Sequence, residues 1–202
     1  MEDISVESLS SLPDEALVAV VRTHPQEFPV LLSRFRQLVL RIASDYAVSS
    51  ADAEDYAQEG LIGLLAAVSA YDEDRAASFR TFAAVCIRNR IRNAARTAQT
   101  EACSSGLSLD DPDAGTETLL ADGDNSPEQQ FLTKERITEL YLEMTDVLSR
   151  QEREVFCLSA GGFSYREIAE RLHISRKSVD NAIQRGRRKL RAVRGRGSGS
   201  DN

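Results

Sequence analysis

Arg176, Lys177 and Ser178 follow a tight His173-Ile174-Ser175 turn, and Asp180, Asn181 and Gln184 come on the next turns. These side chains can read base edges: Arg and Lys pair with guanine O6 and N7, and Asn or Gln with adenine. Arg185, Arg187, Arg188, Lys189 and Arg191 follow and offer sequence-blind attraction to phosphate. A second basic group lies in residues 76–98, AASFRTFAAVCIRNRIRNAARTA. There Arg88, Asn89, Arg92 and Arg96 recur on one helical stripe beyond Phe79 and Phe82. Rings can stack on unpaired bases while guanidinium groups hold phosphates, and an extruded base needs an aromatic or apolar pocket. The same residues also suit a purely structural role, with the rings in the core and the arginines solvated. Composition leaves these two readings level, and Phe79 can be core even if Phe82 is not.

The first group needs a helix-turn-helix to position it. In residues 165–190, YREIAERLHISRKSVDNAIQRGRRKL, Ile168, Ala169 and Leu172 form the apolar face of one short helix. Ser175 caps a second whose inner face is Val179, Ala182, Ile183 and Leu190. In such a motif the second helix enters the major groove. A helical hairpin with a solvated basic face would carry similar charges. The turn, the cap, small Ala169 at the crossing and the basic second helix coincide, which favours DNA contact. His173 reads as a turn residue and not a ligand.

Nothing in the chain suggests catalysis. The acids sit at helix starts and in one acidic stretch, so no catalytic residue, metal ligand or cofactor is expected. Cys86, Cys103 and Cys157 are far apart, and neither His24 nor His173 neighbours a cysteine. They read as packing residues in a reducing cytoplasm. No apolar run spans a membrane, and the acidic, polar MEDISVESLS start is unlike a signal peptide.

The remaining pattern is helical throughout. Residues 14–47 show apolar positions three and four apart, broken at His24-Pro25. Asp52, Glu54 and Asp55 open a helix that runs to about Ala70, and another spans about Ser78–Thr97. Residues 99–125 are rich in Ser, Asp, Gly and Thr and read as an acidic linker, with Leu119-Leu120 as a docking candidate. Helices are then expected at 127–148, 150–160, 165–172 and 176–192. Capping boxes begin three of them, at Ser126 to Gln129, Ser149 to Glu152 and Ser164 to Glu167. The expected fold is all-α, with two helical lobes at 14–98 and 126–192, the linker between them and a flexible tail at 193–202.

Charge follows this division. The whole chain carries −7, which alone argues against a nucleic-acid binder. Residues 1–75 hold 14 acids and 5 bases, and residues 101–154 hold 14 and 4. Residues 76–100 hold 5 arginines and no acid, and residues 155–202 hold 11 bases and 4 acids. Two basic islands in an acidic chain suggest two polyanion contacts.

Residues 52–98 resemble region 2 of bacterial sigma-70-family factors. The sharp part is D-x-x-Q-E-G-x-I-G-L-x-x-A, at Asp55, Gln58, Glu59, Gly60, Ile62, Gly63, Leu64 and Ala67. Phe79-Arg80-Thr81-Phe82-Ala83 resembles the F-x-T-[YF]-A that follows it. Residues 148–191 resemble region 4, with Leu148, Glu152, Arg153 and Val155, then Tyr165–Leu172. SLDDP, TLLAD and SPEQ in the linker, and Lys177–Arg185, resemble the sporulation-type sigma-H group, an alternative sigma factor class.

The resemblance implies a factor that binds core RNA polymerase and directs it to promoters. It implies that Asp55, Gln58, Glu59, Ile62 and Leu65 meet the clamp helices of the largest polymerase subunit. Phe82, Arg88, Asn89, Arg92 and Arg96 would recognise and help melt the minus-10 element. Arg176, Lys177, Ser178, Asn181 and Arg185 would contact the minus-35 element, while residues 150–163 dock on the flap of the second-largest subunit. An anti-sigma factor is admitted as a further partner; a membrane or a small-molecule substrate is not expected. Many primary factors carry a tryptophan pair where this chain has Val85 and Cys86, and there is no separate region 3 domain. The first implies a weaker melting wedge and stricter promoter dependence, and the second suits an alternative factor. A recombinase or nuclease with the same C-terminal motif would need a nucleophile or carboxylate cluster, and a ligand-controlled regulator would need a sensing domain. Gln58–Leu64 supports neither.

Overall fold

The computed structural model describes residues 6–74, 77–104 and 127–197. Among the described residues the chain is helical: α1 (Val6–Ser11), α2 (Asp14–Thr23), a 3-10 turn (Pro25–Glu27), α3 (Phe28–Ser44), α4 (Ser50–Ala70), α5 (Phe79–Ser104), α6 (Pro127–Val147), α7 (Arg150–Ala160), α8 (Tyr165–Leu172) and α9 (Arg176–Gly197). The expected all-α architecture is present. The linker motifs, Leu119-Leu120 and the Ser126 cap lie outside the described residues, as does the end of the tail.

Helix ends follow local chemistry. The Ser49 side chain accepts the Asp52 N–H while the Asp52 carboxylate accepts the Ser49 N–H, a capping box that starts α4. Ser149 with Glu152 and Ser164 with Glu167 start α7 and α8 as the sequence suggests. Three helices depart from the expected bounds. Helix α5 continues to Ser104, through the start of the expected linker, because Ala98-Gln99-Thr100-Glu101-Ala102 contains no breaker. Helix α9 continues to Gly197, five residues past 192. Helix α1 was not legible, since six residues are too few to show a period. It is held from a distance: Arg34 donates to the carbonyls of Leu9, Ser10 and Leu12 at 3.1, 2.7 and 2.6 Å, and Leu9 is fully buried.

The N-terminal lobe is built around α4. Its far end is capped by Arg22, whose guanidinium donates to the Val68 carbonyl at 2.8 Å and to that of Tyr71. Helix α3 supplies Phe28, Leu31, Leu32, Phe35, Val39 and Ile42 to the core. Phe79 meets Phe35 and Tyr71 edge-on, with centroids 5.2 and 5.3 Å apart, and its N–H is accepted by Glu15 of α2 at 3.0 Å. The start of α5 is thereby fixed to two other helices.

The C-terminal lobe does not stand apart. Helix α7 lies along α4, α6 contacts both α3 and α4, and the buried apolar residues of both lobes form one continuous core. Phe28 of α3 stacks on Tyr141 of α6 with centroids 4.8 Å apart. A Cβ on Gly161, just past α7, would sit 3.2 Å from the Ala66 Cβ of α4.

The two motif glycines set the α4–α5 spacing. A Cβ at Gly63 would lie 2.8 Å from the Ile87 Cα and 2.9 Å from the Cys86 carbonyl oxygen. One at Gly60 would meet side chains instead, Val39 at 2.8 Å and Ile91 at 3.2 Å. Side chains can move aside and a packed backbone cannot. Gly63→Ala is therefore expected to cost about 1–3 kcal/mol of unfolding free energy, and Gly60→Ala less. Urea titrations of the two variants check the order; equal costs would refute it.

Candidate nucleic-acid interface

The helix-turn-helix forms as its sequence requires. His173 ends α8 in the left-handed conformation, with φ 53°, a strained position for a residue with a Cβ. The Ile174 N–H reaches back to the Ala169 carbonyl at 3.0 Å, which closes the turn. Ser175 Oγ then accepts the Ser178 N–H at 3.1 Å and meets Ser178 Oγ at 2.8 Å, capping α9. Ile168, Ala169, Val179, Ala182 and Ile183 are buried between the two helices.

With that face inward, Arg176, Lys177 and Asn181 are exposed and Ser178 is half-buried beneath them. Gln184 donates to Asp180 at 2.9 Å, one turn apart. Arg185 belongs to this group in sequence but is tied back: its Nε donates to Glu152 Oε1 at 3.2 Å. Lys189 donates to Glu152 Oε2 at 2.6 Å. Glu152 is nearly buried and also accepts the Ser149 N–H at 3.0 Å. Burial alone would raise its carboxyl, but hydrogen bonds from Lys189, Ser149 and Arg185 outweigh that and hold it at about 2. The capping role of Glu152 was visible in the sequence. Its grip on α9, 33 and 37 residues away, was not.

The second basic group divides by face. Arg88, Arg92 and Arg96 are exposed on α5, and Asn89 is half-buried, accepting from Arg92 at 2.9 Å. Arg90 points the other way and pairs with Glu59 of α4. Val85 is 39% exposed, whereas Cys86 is fully buried. Both aromatic rings are interior: Phe79 is 0% exposed and Phe82 only 7%. The two are not equivalent. Phe79 is packed by its own lobe, while Phe82 is covered in part by the other, with Phe163 stacked on it at 6.3 Å and the Arg171 guanidinium 4.2 Å from its centroid.

On α4, Asp55 and Gln58 are exposed, Glu59 and Ile62 half-buried, and Leu65 buried at 2%. Asp55, Tyr56, Gln58 and Glu59 line one wall of an open groove whose other wall is Arg90, Asn93, Ala94, Thr97 and Ala98 of α5. The structure thus gathers four of the five expected polymerase-facing residues at the accessible part of α4 and leaves Leu65 in the interior. Among the described residues no His, Cys, Asp and Glu group could hold a metal ion, and no helix is long and apolar enough to cross a membrane.

Comparison with known proteins fits this layout. Residues 31–101 match Sigma-70 region 2, and residues 138–190 match Sigma-70 region 4. The chain is 35% identical over 200 residues to an RNA polymerase sigma-H factor of Bacillus licheniformis, covering 94% of this chain and 90% of that one. It is 34% identical to the RNA polymerase sigma-H factor of Bacillus subtilis (strain 168), covering 91% and 89%. An RNA polymerase sigma-28 factor of Bacillus thuringiensis subsp. kurstaki is 30% identical, over 80% of this chain and 72% of its own length.

The Glu152 contacts carry a pH signature. A carboxyl lowered by folding stabilises the fold above its unfolded value, and that contribution fades as pH falls through the folded value. Glu152→Gln is expected to cost about 1–3 kcal/mol at pH 7. The gap from the wild type should start to close below the usual carboxylate value of 4.5 and vanish near 2. Thermal unfolding of both forms across that range checks it; a gap independent of pH would refute it.

Proposed function

The chain belongs to the sigma-70 family, and we propose that it divides the work of an alternative sigma factor between three helices. Sigma factors of this family are non-enzymatic regulators that direct transcription initiation. Here α4 would engage core RNA polymerase, α5 the minus-10 element and α9 the minus-35 element. The observation that carries the division is the sorting of charge by face. Arg88, Arg92 and Arg96 on α5, and Arg176 and Lys177 on α9, are exposed. Asp55 and Gln58 are exposed on the acidic start of α4.

Each surface suits its partner. An acidic helix start meets a basic protein surface with complementary field, so Asp55, Gln58, Glu59 and Ile62 are assigned to the clamp helices of the largest subunit. Helix α7 with the following corner is assigned to the flap of the second-largest subunit. Arg176, Lys177 and Asn181 have the donors for base edges, with Ser178 positioning the helix start. Arg185 is held by Glu152 and is better placed to fix α9 and reach phosphate than to read a base. On α5, Arg88, Asn89, Arg92 and Arg96 would hold the backbone of an opened strand, and Phe82 would offer its ring to a base. A chain that works on core polymerase would act in the cytoplasm.

The test separates the two elements. With reconstituted holoenzyme, Arg176→Ala should relax discrimination at the minus-35 element by about 1–3 kcal/mol per contacted base and leave minus-10 discrimination unchanged. Arg92→Ala should do the converse, weakening open-complex formation. Initiation measured on promoters altered in one element at a time reads both. A uniform loss across all promoters for Arg176→Ala would reduce it to a phosphate anchor and contradict the assignment.

A further inference from the structure

Helix α9 carries nine Lys and Arg residues and a single carboxylate, Asp180. On a helix that faces a polyanion, that carboxylate opposes the attraction of its neighbours. It lies beyond the first helical turn, where an acid no longer gains from the helix dipole. Half-buried, Asp180 accepts from Gln184 Nε2 at 2.9 Å. Such a pair, four residues apart on a helix, adds little to stability. Its effect is on one side chain. Gln184 is exposed and stands seven residues, about two turns, beyond Lys177, so the two share a line along the helix with Asn181 beside them. Val179, Ala182, Ile183 and Gly186 are buried on the opposite side. Gln184 therefore occupies the middle of the open face of α9.

The bond to Asp180 decides which way the Gln184 amide faces. A carboxylate accepts and cannot donate, so the amide turns its NH2 group toward Asp180; the flipped amide would set oxygen against oxygen. One hydrogen of the NH2 group goes to Asp180. Oε1 and the second hydrogen are left for a partner. An acceptor beside a donor matches adenine, which offers its N6 amine and N7 acceptor in the major groove. Guanine offers two acceptors there, O6 and N7, so Oε1 would face an acceptor. Cytosine and thymine each satisfy only one of the two amide groups. We propose that Gln184 selects adenine at one position of the minus-35 duplex and that Asp180 is its positioning residue. The proposal rests on the assignment of α9 to the minus-35 element and adds the base that one of its side chains reads.

Arg176 and Lys177 do not make this distinction. They carry donors only and suit the two acceptors of guanine. The Asp180 carboxylate weakens the pull of α9 on phosphate but fixes the neighbouring amide. Without it the Gln184 amide turns freely, and one orientation or the other can meet either purine.

The experiment uses holoenzyme reconstituted from core polymerase and the full-length chain, on a promoter it initiates from. Each base pair of the minus-35 element is replaced in turn by the other three, and affinity is read for every sequence. The wild type should prefer adenine over guanine at one position by about tenfold. Gln184→Ala should bring that preference down to about twofold or less and leave the other positions as they were. Asp180→Asn keeps the shape but can donate as well as accept, so it frees the amide. It should reduce the same preference by roughly threefold or more while raising affinity for all sequences alike, since an acid has left the face. A wild type indifferent at every position would overturn the proposal through the assignment of α9. A wild type that discriminates, with Gln184→Ala altering no single position, would overturn it at Gln184 and leave α9 as a reader. Unchanged discrimination in Asp180→Asn, or a change at a different position, would overturn the pairing, the second because Asp180 would itself be reading a base.

Discussion

Helices α4 and α5 touch backbone to side-chain position at Gly63, and the arrangement of the N-terminal lobe depends on that contact. With no Cβ between them, the Cys86–Ile87 stretch of α5 lies directly on α4. The consequence is a rotational setting for α5. Ile87 and Ile91 face α4, so Arg88, Arg92 and Arg96 must face out. The acidic beginning of α4 projects beyond the crossing, where Asp55 and Gln58 share a groove with the far half of α5. The residues proposed to meet polymerase and an opened strand are therefore set relative to each other by two buried glycines. The start of α5 adds a second restraint, through Glu15 on the Phe79 N–H and Asp14 between Arg34 and Arg80.

The C-terminal lobe uses a different device for the same end. Helix α9 is anchored by Val179, Ala182 and Ile183, with Leu190 partly buried beyond them, and Glu152 supplements these by holding Arg185 and Lys189. The cations are partly solvent-exposed, which limits the energy of the pairs, but the carboxylate they meet is buried, and the pairs also orient α9. They turn two cations of α9 toward α7 and leave Arg176 and Lys177 at the tip. A net charge of −7 is then compatible with DNA contact, because the positive charge is concentrated on two exposed faces.

Much of this was legible in the sequence. The capping pairs at Ser149 and Ser164, the Ser175 cap and the spacing of Ile168, Ala169 and Val179 specify helix ends and inner faces locally, and local chemistry is what a sequence displays. The resemblance at Gln58–Leu64 and Phe79–Ala83 supplied the role of each region. What stayed hidden depends on residues far apart in the chain. The hold of Arg34 on α1, of Glu152 on α9 and of the Gly162 corner on α5 each join positions more than 20 apart. Phe82 and Leu65 show the same limit. The resemblance marks them as candidates for contact, but burial is decided by which helix packs over them.

The central claim, that the chain brings core RNA polymerase to promoters through two separate DNA-reading faces, is tested most directly by mapping transcript starts. Purified core polymerase would be incubated with genomic DNA with and without the chain, and the 5′ ends sequenced. The account predicts a discrete set of new starts that require the chain, each preceded by two shared sequence elements at a fixed spacing. New starts sharing only one element, or none beyond those of core polymerase alone, would contradict it.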